Sequence, residues 1–231
     1  MDIDMTTVLR TSGLLAALGA LVYVIGDALL LASKASLADS FNLQAHPKLL
    51  SGAEKMVVLP WRRLIGGGLL GVFATLLVLP GFWLIFQGLV PAGLWLALPP
   101  VLFFVCASVI GAFVHGSFIY LGEYVQALNQ VGAESQPVVA RMLTHHRTIM
   151  AITYGFVAVC ILVASIWYST LVALGKTMFP AWMAVINPIT VILAWLLLKR
   201  ILPTRVRDVT EGAGFNIGYV VFFISITVAI W

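Results

Sequence analysis

The stretch Ser108–Glu123 reads SVIGAFVHGSFIYLGE, and it decides how the rest of the sequence is interpreted. It begins in uncharged apolar sequence and then places a histidine, His115, and a carboxylate, Glu123, on what must be one helix. Ionisable side chains are costly inside a bilayer, so they usually face the interior of a helical bundle or a wet cavity. We therefore expect the other helices to give His115 and Glu123 a protein surface to face.

The composition of the chain indicates a membrane protein. Hydrophobic residues make up 61% and charged residues 10% of the 231 residues, and the mean hydropathy is +1.06. Soluble domains are about half apolar and about a quarter charged. The apolar runs are longer than the alternating strands of a membrane barrel, which favours helices. The sequence thus predicts an all-α membrane protein, with residues 1–231 forming a single transmembrane helical domain.

Six apolar runs are predicted to span the membrane. The first is interpreted as a retained helix rather than a cleaved signal peptide, because the tail before it is acidic and its apolar run has full length. Capping-box spacing at Ser51 and Glu54 predicts a short interfacial helix, and the same spacing at Asp208 and Glu211 predicts the start of the last span. The predicted spans cover residues 8–32, 64–89, 94–128, 138–174, 181–198 and 214–231.

Small residues mark the faces on which two of these spans are expected to pack. In the first span, Gly13, Ala16 and Ala20 lie roughly along one face with Asp27. The second span opens with three consecutive glycines, residues 66–68. Small residues let helix backbones approach closely in a membrane, so these faces should point into the bundle.

The basic residues predict the orientation. The loops after the first, third and fifth spans share one side of the membrane, and the opposite side carries only Arg10 and Lys176. By the positive-inside rule both termini are therefore extracytoplasmic. Because topology accounts for the net charge of +4, no nucleic-acid partner is predicted. The basic residues on the predicted cytoplasmic side are Lys34, Lys48, Lys55, Arg62, Arg63, Arg141, Arg147, Lys199, Arg200, Arg205 and Arg207.

This orientation puts polar residues from the first, third, fourth and last spans in the cytoplasmic half of the membrane. Packed helices lie about 10 Å apart, so neighbouring spans would bring these side chains together. The sequence therefore predicts an intramembrane polar pocket. Its predicted residues are Tyr23, Asp27, His115, Tyr120, Glu123, His146, Tyr154 and Asn216.

Two functions fit such a pocket. A buried carboxylate that pairs with a ligand, between amphipathic tyrosine walls, favours the binding or transport of a small amphipathic molecule. The alternative is a metal-dependent enzyme acting on a lipid, with zinc held by Asp27, His115, Glu123 and His145. The pattern for metal is weak, since the chain has no His-x3-His, HExxH or cysteine pair. Adjacent His145 and His146 also point about 100° apart on a helix.

A third interpretation needs no ligand. Asp27 would pair with Lys34 at the membrane interface, Glu123 and residues 145–147 would be solvated helix ends, and His115 would be a packing histidine. The protein would then be a structural or assembly subunit of a membrane complex. The three interpretations differ in whether Asp27 and His115 share one cavity.

No cofactor is predicted. No lysine lies inside a predicted span to hold retinal, and His115 is the one histidine at mid-membrane depth, whereas haem held between helices needs histidines on two spans. The predicted partners are therefore membrane lipids and a small amphipathic ligand.

Short motifs along the chain resemble a known family. Gly26-Asp27 ends the first span, Asn187-Pro188 interrupts the fifth, and Leu202-Pro203 follows it. The sequence GAGFN, residues 212–216, opens the last span. Together these motifs resemble an uncharacterised bacterial family of six-helix membrane proteins over the whole chain. The resemblance implies a multi-pass protein of the bacterial cytoplasmic (inner) membrane and implies no activity.

The predicted orientation can be tested with reporter fusions. A reporter that is active only in the cytoplasm should be inactive at either terminus and active when inserted near Lys48 in the first loop. The physical reason is the concentration of basic residues on the side of that loop. Activity of a terminal cytoplasmic reporter would contradict the topology.

Overall fold

The helices of the protein follow the apolar runs of its sequence. The computed structural model describes residues 4–33, 44–50 and 52–231, and within those ranges its regular structure is entirely helical. Short 3-10 turns at Glu54–Val58, Val90–Ala92 and Ala181–Val185 connect some of the helices. The helices are α1 (Met5–Leu31), α2 (Pro47–Leu50), α3 (Trp61–Leu89), α4 (Leu94–Gln130), α5 (Gln136–Ala173), α6 (Pro188–Leu198), α7 (Thr204–Val209) and α8 (Gly214–Ala229).

Four of the described helices, α1, α3, α4 and α5, are long and apolar enough to cross a membrane. Helices α6 and α8 are also apolar but shorter, with 11 and 16 residues. At 1.5 Å per residue, α8 is about 24 Å long. The chain is thus a helical membrane protein with four long and two shorter apolar helices, and the crossing number of six and the position of the termini stay predictions.

The fifth predicted span contains a helix start, which explains the Asn-Pro pair. The Asn187 side chain accepts a hydrogen bond from the backbone N–H of Thr190, and the Thr190 hydroxyl accepts one from the backbone N–H of Asn187. Pro188 then occupies the first position of α6, where a missing N–H leaves no bond unmade. The predicted span 181–198 therefore consists of a 3-10 turn followed by a separate short helix.

The capping pattern predicted before the last span is wrong. Asp208 lies inside α7, and α8 begins after Ala213, whose side chain makes no capping bond. Glu211 instead forms an ion pair with Lys55, which ties the segment after α7 to the first loop. Sequence spacing alone did not reveal that this carboxylate has a distant partner.

The short helix predicted after Glu54 is present as a 3-10 helix at Glu54–Val58, and its position at the membrane interface stays a prediction. Ser51, the expected cap, lies outside the described residues. Gln126 of α4 holds the turn, because its side-chain amide donates to the carbonyls of Met56 at 3.0 Å and Leu59 at 2.7 Å. The segment is therefore fixed to the bundle by α4 as well as by its own turn.

The four long and two shorter apolar helices pack in a ring. Helix α1 packs against α3, α3 against α4, and α4 against α5. Helix α5 contacts the 3-10 turn at Ala181–Val185 and α6, α6 packs against α8, and α8 returns to α1. The first and last helices are thus neighbours, and the ring has an interior that side chains from both can reach.

Helices α1 and α3 approach each other through glycines. A Cβ added to Gly26 would lie 2.9 Å from the carbonyl oxygen of Gly67, and one added to Gly67 would lie 3.0 Å from that of Gly26. Arg63, at the start of α3, donates to the carbonyls of Ala28 at 3.2 Å and Ala32 at 2.7 Å, and so satisfies the end of α1. The predicted small-residue face of α1 is confirmed as buried.

This contact predicts a difference between adjacent glycines. Gly67→Leu should destabilise the protein by about 1–3 kcal/mol, because the new side chain meets Leu30 and the backbone of α1. Gly66→Leu is the matched control, since nothing lies within 4 Å of a Cβ at that position. Thermal unfolding in detergent measures both, and equal losses would mean that the α1–α3 contact is looser than described.

Candidate functional site

The interior of the ring holds a cavity of about 50 Å³. Side chains from α1, α3, α4, α5 and α8 form its wall. One buried water needs about 10–15 Å³ of such volume, so the cavity has room for several waters or for one small polar group. Its polar wall residues are Tyr23, Ser108, His115, Tyr154, Asn216 and Tyr219.

His115 is the only imidazole of this wall. The ring is buried in the space that Gly71 of α3 leaves open, and a Cβ at Gly71 would overlap its Cγ–Nδ1 edge. Its Nε2 lies 3.9 Å from Oδ1 of Asp27, and its ring centroid lies 4.8 Å from that of Tyr23. Its Nδ1 has no hydrogen-bond partner among the residues that the structure describes.

Asp27 is only 4% exposed and contacts two side chains of the wall, His115 and Asn216. Its Oδ2 accepts a hydrogen bond of 2.6 Å from the side-chain amide of Asn216 on α8. Within the described ranges the one basic side chain within 4 Å of its carboxylate is His115. Lys34, its other predicted partner, lies outside those ranges. Asp27 therefore lies where α1, α4 and α8 of the ring meet.

Tyr23 and Thr75 hold the neighbouring part of the wall. Their hydroxyl groups form a buried hydrogen bond between α1 and α3. The Tyr23 ring is thereby fixed beside His115, one turn from Asp27 on the same helix. The bond satisfies two hydroxyl groups that would otherwise be unpaired in an apolar interior.

Two further tyrosines close the cavity. Tyr219 of α8 is buried, and its hydroxyl makes no hydrogen bond of standard geometry within the described chain, although Ser108 lies nearby. Tyr154 of α5 packs against Phe215, with ring centroids 6.0 Å apart. Tyr154 also lines a second, open pocket of about 380 Å³. It is thus the tyrosine that both spaces share.

The structure brings together part of the predicted pocket. Tyr23, His115, Tyr154 and Asn216 line the cavity, and Asp27 contacts two of them. These residues come from α1, α4, α5 and α8, the helices on which the sequence analysis placed them.

The other predicted pocket residues lie elsewhere. Tyr120 is 57% exposed and Glu123 is also exposed. At about 100° per residue, Tyr120 is about 140° around α4 from His115, and Glu123 about 80°. His146 is half-buried, with Nε2 at 2.9 Å from the carbonyl oxygen of Ser117, and packs edge-on against Tyr124.

The four residues proposed as zinc ligands are not gathered. Asp27 and His115 meet, whereas Glu123 and His145 are exposed. Over the described part of the chain, no group of three or more His, Cys, Asp and Glu side chains is placed to hold a metal ion. The donor set for the metal-dependent alternative is therefore incomplete at this site.

Sequence reasoning missed three residues that shape the cavity. Gly71 and Thr75 are four residues apart on α3, and Tyr219 follows Asn216 by three on α8. Residues at these spacings share a helical face. Tyr219 could have been predicted, because it shares a helical face with Asn216, which was already a candidate. Gly71 and Thr75 could not, because no candidate residue lies on their face of α3.

The contact between Asp27 and His115 predicts energetic coupling. Asp27→Asn should cost more stability with His115 intact than in a His115→Gln background, with a coupling energy of about 0.5–3 kcal/mol. The reason is that two groups 3.9 Å apart interact strongly in a low dielectric. Thermal unfolding in detergent measures the cycle. Glu123→Gln, combined with His115→Gln, is the matched control, and the two losses of stability should add. If the losses from Asp27→Asn and His115→Gln also add, the two residues do not interact.

Comparison with known proteins supplies a family and no activity. The family described as "Family of unknown function (DUF6796)" matches residues 3–231. No curated protein and no solved structure matches the chain. The match covers nearly the whole sequence and confirms the resemblance to an uncharacterised family. The chain therefore belongs to the family of unknown function DUF6796.

Proposed function

We propose that this protein binds a small amphipathic molecule inside the membrane, with the polar group of the ligand in the central cavity. The observation that carries the proposal is the composition of that cavity. In an otherwise apolar bundle, an imidazole, an amide and tyrosine hydroxyls line one space, and a buried carboxylate contacts the imidazole and the amide. Ligand sites are typically apolar cavities with a few convergent polar groups.

An unused hydroxyl group supports a polar guest. The Tyr219 side chain lines the cavity, and its hydroxyl makes no hydrogen bond of standard geometry within the described chain. Buried polar groups are nearly always paired with protein, water or ligand. A guest with polar atoms would supply partners that the wall itself lacks.

The size of the two spaces supports an amphipathic guest. The cavity of about 50 Å³ accommodates a polar group but no tail. The second pocket, of about 380 Å³, shares Tyr154 with the cavity and has a largely apolar wall that includes Phe118, Leu121 and Met150. A ligand with its polar group beside His115 and its tail past Tyr154 would use both spaces.

The proposal places the protein in the bacterial cytoplasmic membrane with both termini extracytoplasmic. The distribution of basic residues supports this orientation. A metal-dependent enzyme has less support, because Glu123 and His145 are exposed. A purely structural role would account for the Asp27–Asn216 hydrogen bond but leaves the cavity without a purpose.

Filling the cavity tests the proposal. Gly111 lines it, and nothing lies within 4 Å of a Cβ there, so Gly111→Leu should fold and occupy the space. Native mass spectrometry of protein released from mild detergent should detect a bound small molecule in the wild type and lose it in Gly111→Leu. Gly155→Leu is the matched control, because Gly155 is an exposed α5 glycine with the same freedom. A bound mass that persists in Gly111→Leu, or that the wild type lacks, would contradict the proposal.

A further inference from the structure

We infer that the polar group of the ligand is a protonated amine, held between the Asp27 carboxylate and the aromatic side chains of the cavity wall. The inference rests on the proposed function and names the chemical class of its ligand. It follows from the charges, the rings and the distances around Asp27.

The first step is the charge of the site. Asp27 is 4% exposed, and a carboxylate in so apolar a place is ionised only where a compensating positive charge lies beside it. Asn216 supplies a hydrogen bond but no charge. No lysine or arginine lines the cavity, and across the described residues no lysine or arginine pairs with Asp27. The site therefore favours a cationic guest over an anionic one.

The second step is the distance between Asp27 and His115. Their nearest atoms are 3.9 Å apart, which is longer than the roughly 2.7–3.2 Å of an N–H···O hydrogen bond. The two side chains thus face each other without a direct hydrogen bond. An ammonium group carries three N–H donors and can donate to a carboxylate oxygen and to a neutral imidazole nitrogen together. Such a group would pair with the two facing atoms, Oδ1 of Asp27 and Nε2 of His115, and leave His115 uncharged.

The third step is the aromatic wall. Tyr23, Tyr154, Phe215 and Tyr219 all line the cavity. The face of an aromatic ring attracts a cation within about 6 Å of its centroid, and the attraction grows when the cation is desolvated. A neutral hydroxyl gains nothing comparable from these rings, and a carboxylate is repelled by Asp27. The Asp27 carboxylate and the aromatic rings therefore both favour a positively charged ligand group.

The charged groups outside the cavity do not alter its preference for a cationic group. Arg147 and Glu211 line the second pocket rather than the cavity, and Glu211 pairs with Lys55. The ammonium end of the ligand would enter the central cavity, and its chain would lie in the second pocket, beyond Tyr154.

Three probes of matched chain length test the inference: n-hexylamine, n-hexanol and n-hexanoate at pH 7, added to the full chain in an uncharged detergent. Binding is followed by the shift in thermal unfolding and by saturation-transfer NMR of the probe. The wild type should bind hexylamine more tightly than hexanol, and hexanoate least. Gly111→Leu should lose binding, whereas Gly155→Leu should keep it.

The variant Asp27→Asn assigns the selectivity to the carboxylate. It should weaken hexylamine binding by about tenfold or more and leave hexanol unchanged, because only the charge of the buried acceptor is removed. The preference of the wild type for hexylamine is a separate readout that holds even where this variant does not fold.

The outcomes distinguish the inference from the function on which it rests. Equal binding of hexanol and hexylamine, with both lost in Gly111→Leu, would overturn the inference of an amine. It would leave the proposal of a pocket for an amphipathic molecule standing. Tightest binding of hexanoate would also overturn the amine. Binding of no probe, or binding that Gly111→Leu does not change, would overturn both.

Discussion

The close approach of α1 and α3 is the constraint on which the rest of the structure depends. It is possible only because Gly26 and Gly67 present backbone to each other. In a membrane, helices gain no hydrophobic energy by leaving lipid, so close packing and hydrogen bonds must hold them together. The same glycine-bearing face of α3 continues to Gly71, where the absence of a side chain makes room for the ring of His115. One contact therefore both joins two helices and opens the place for a third.

The polar cluster uses the geometry that this contact creates. Asp27 faces inward from α1, Asn216 reaches it from α8, and His115 faces it from α4. Each interaction joins helices that are far apart in sequence, and each is favourable because the surroundings offer no water to replace it. The cavity is the remaining space at the point where these side chains meet. The stability of the bundle and the shape of the cavity consequently depend on the same few residues.

The features that could be predicted from sequence are those written in local patterns. Long apolar runs indicated the helices. The small residues of α1 indicated that the helix face carrying Asp27 is buried. The candidates that line the cavity, such as His115 and Asn216, are polar residues inside apolar stretches. Facing the interior of the bundle costs such side chains less free energy than facing lipid.

The remaining features depend on rotation and on distant partners. Tyr120 and Glu123 share a helix with His115 but point elsewhere, because a few residues turn an α-helix through a large angle. Glu211 looked like a capping residue and instead pairs with Lys55, which no local pattern encodes. Gly71 became meaningful only when the ring that fills its space was known. Tertiary contacts decided all of these positions.

The closure of the ring by α8 against α1 has a consequence for the order in which the protein is assembled. The chain is synthesised from its N-terminus, so Asp27 is made long before Asn216, its hydrogen-bond donor, exists. During that interval a carboxylate in an apolar helix must rely on water, lipid headgroups or a helper protein for its partners. Helix α8 provides that donor, so the surroundings of Asp27 and the wall of the cavity are completed together, once α8 has packed against α1.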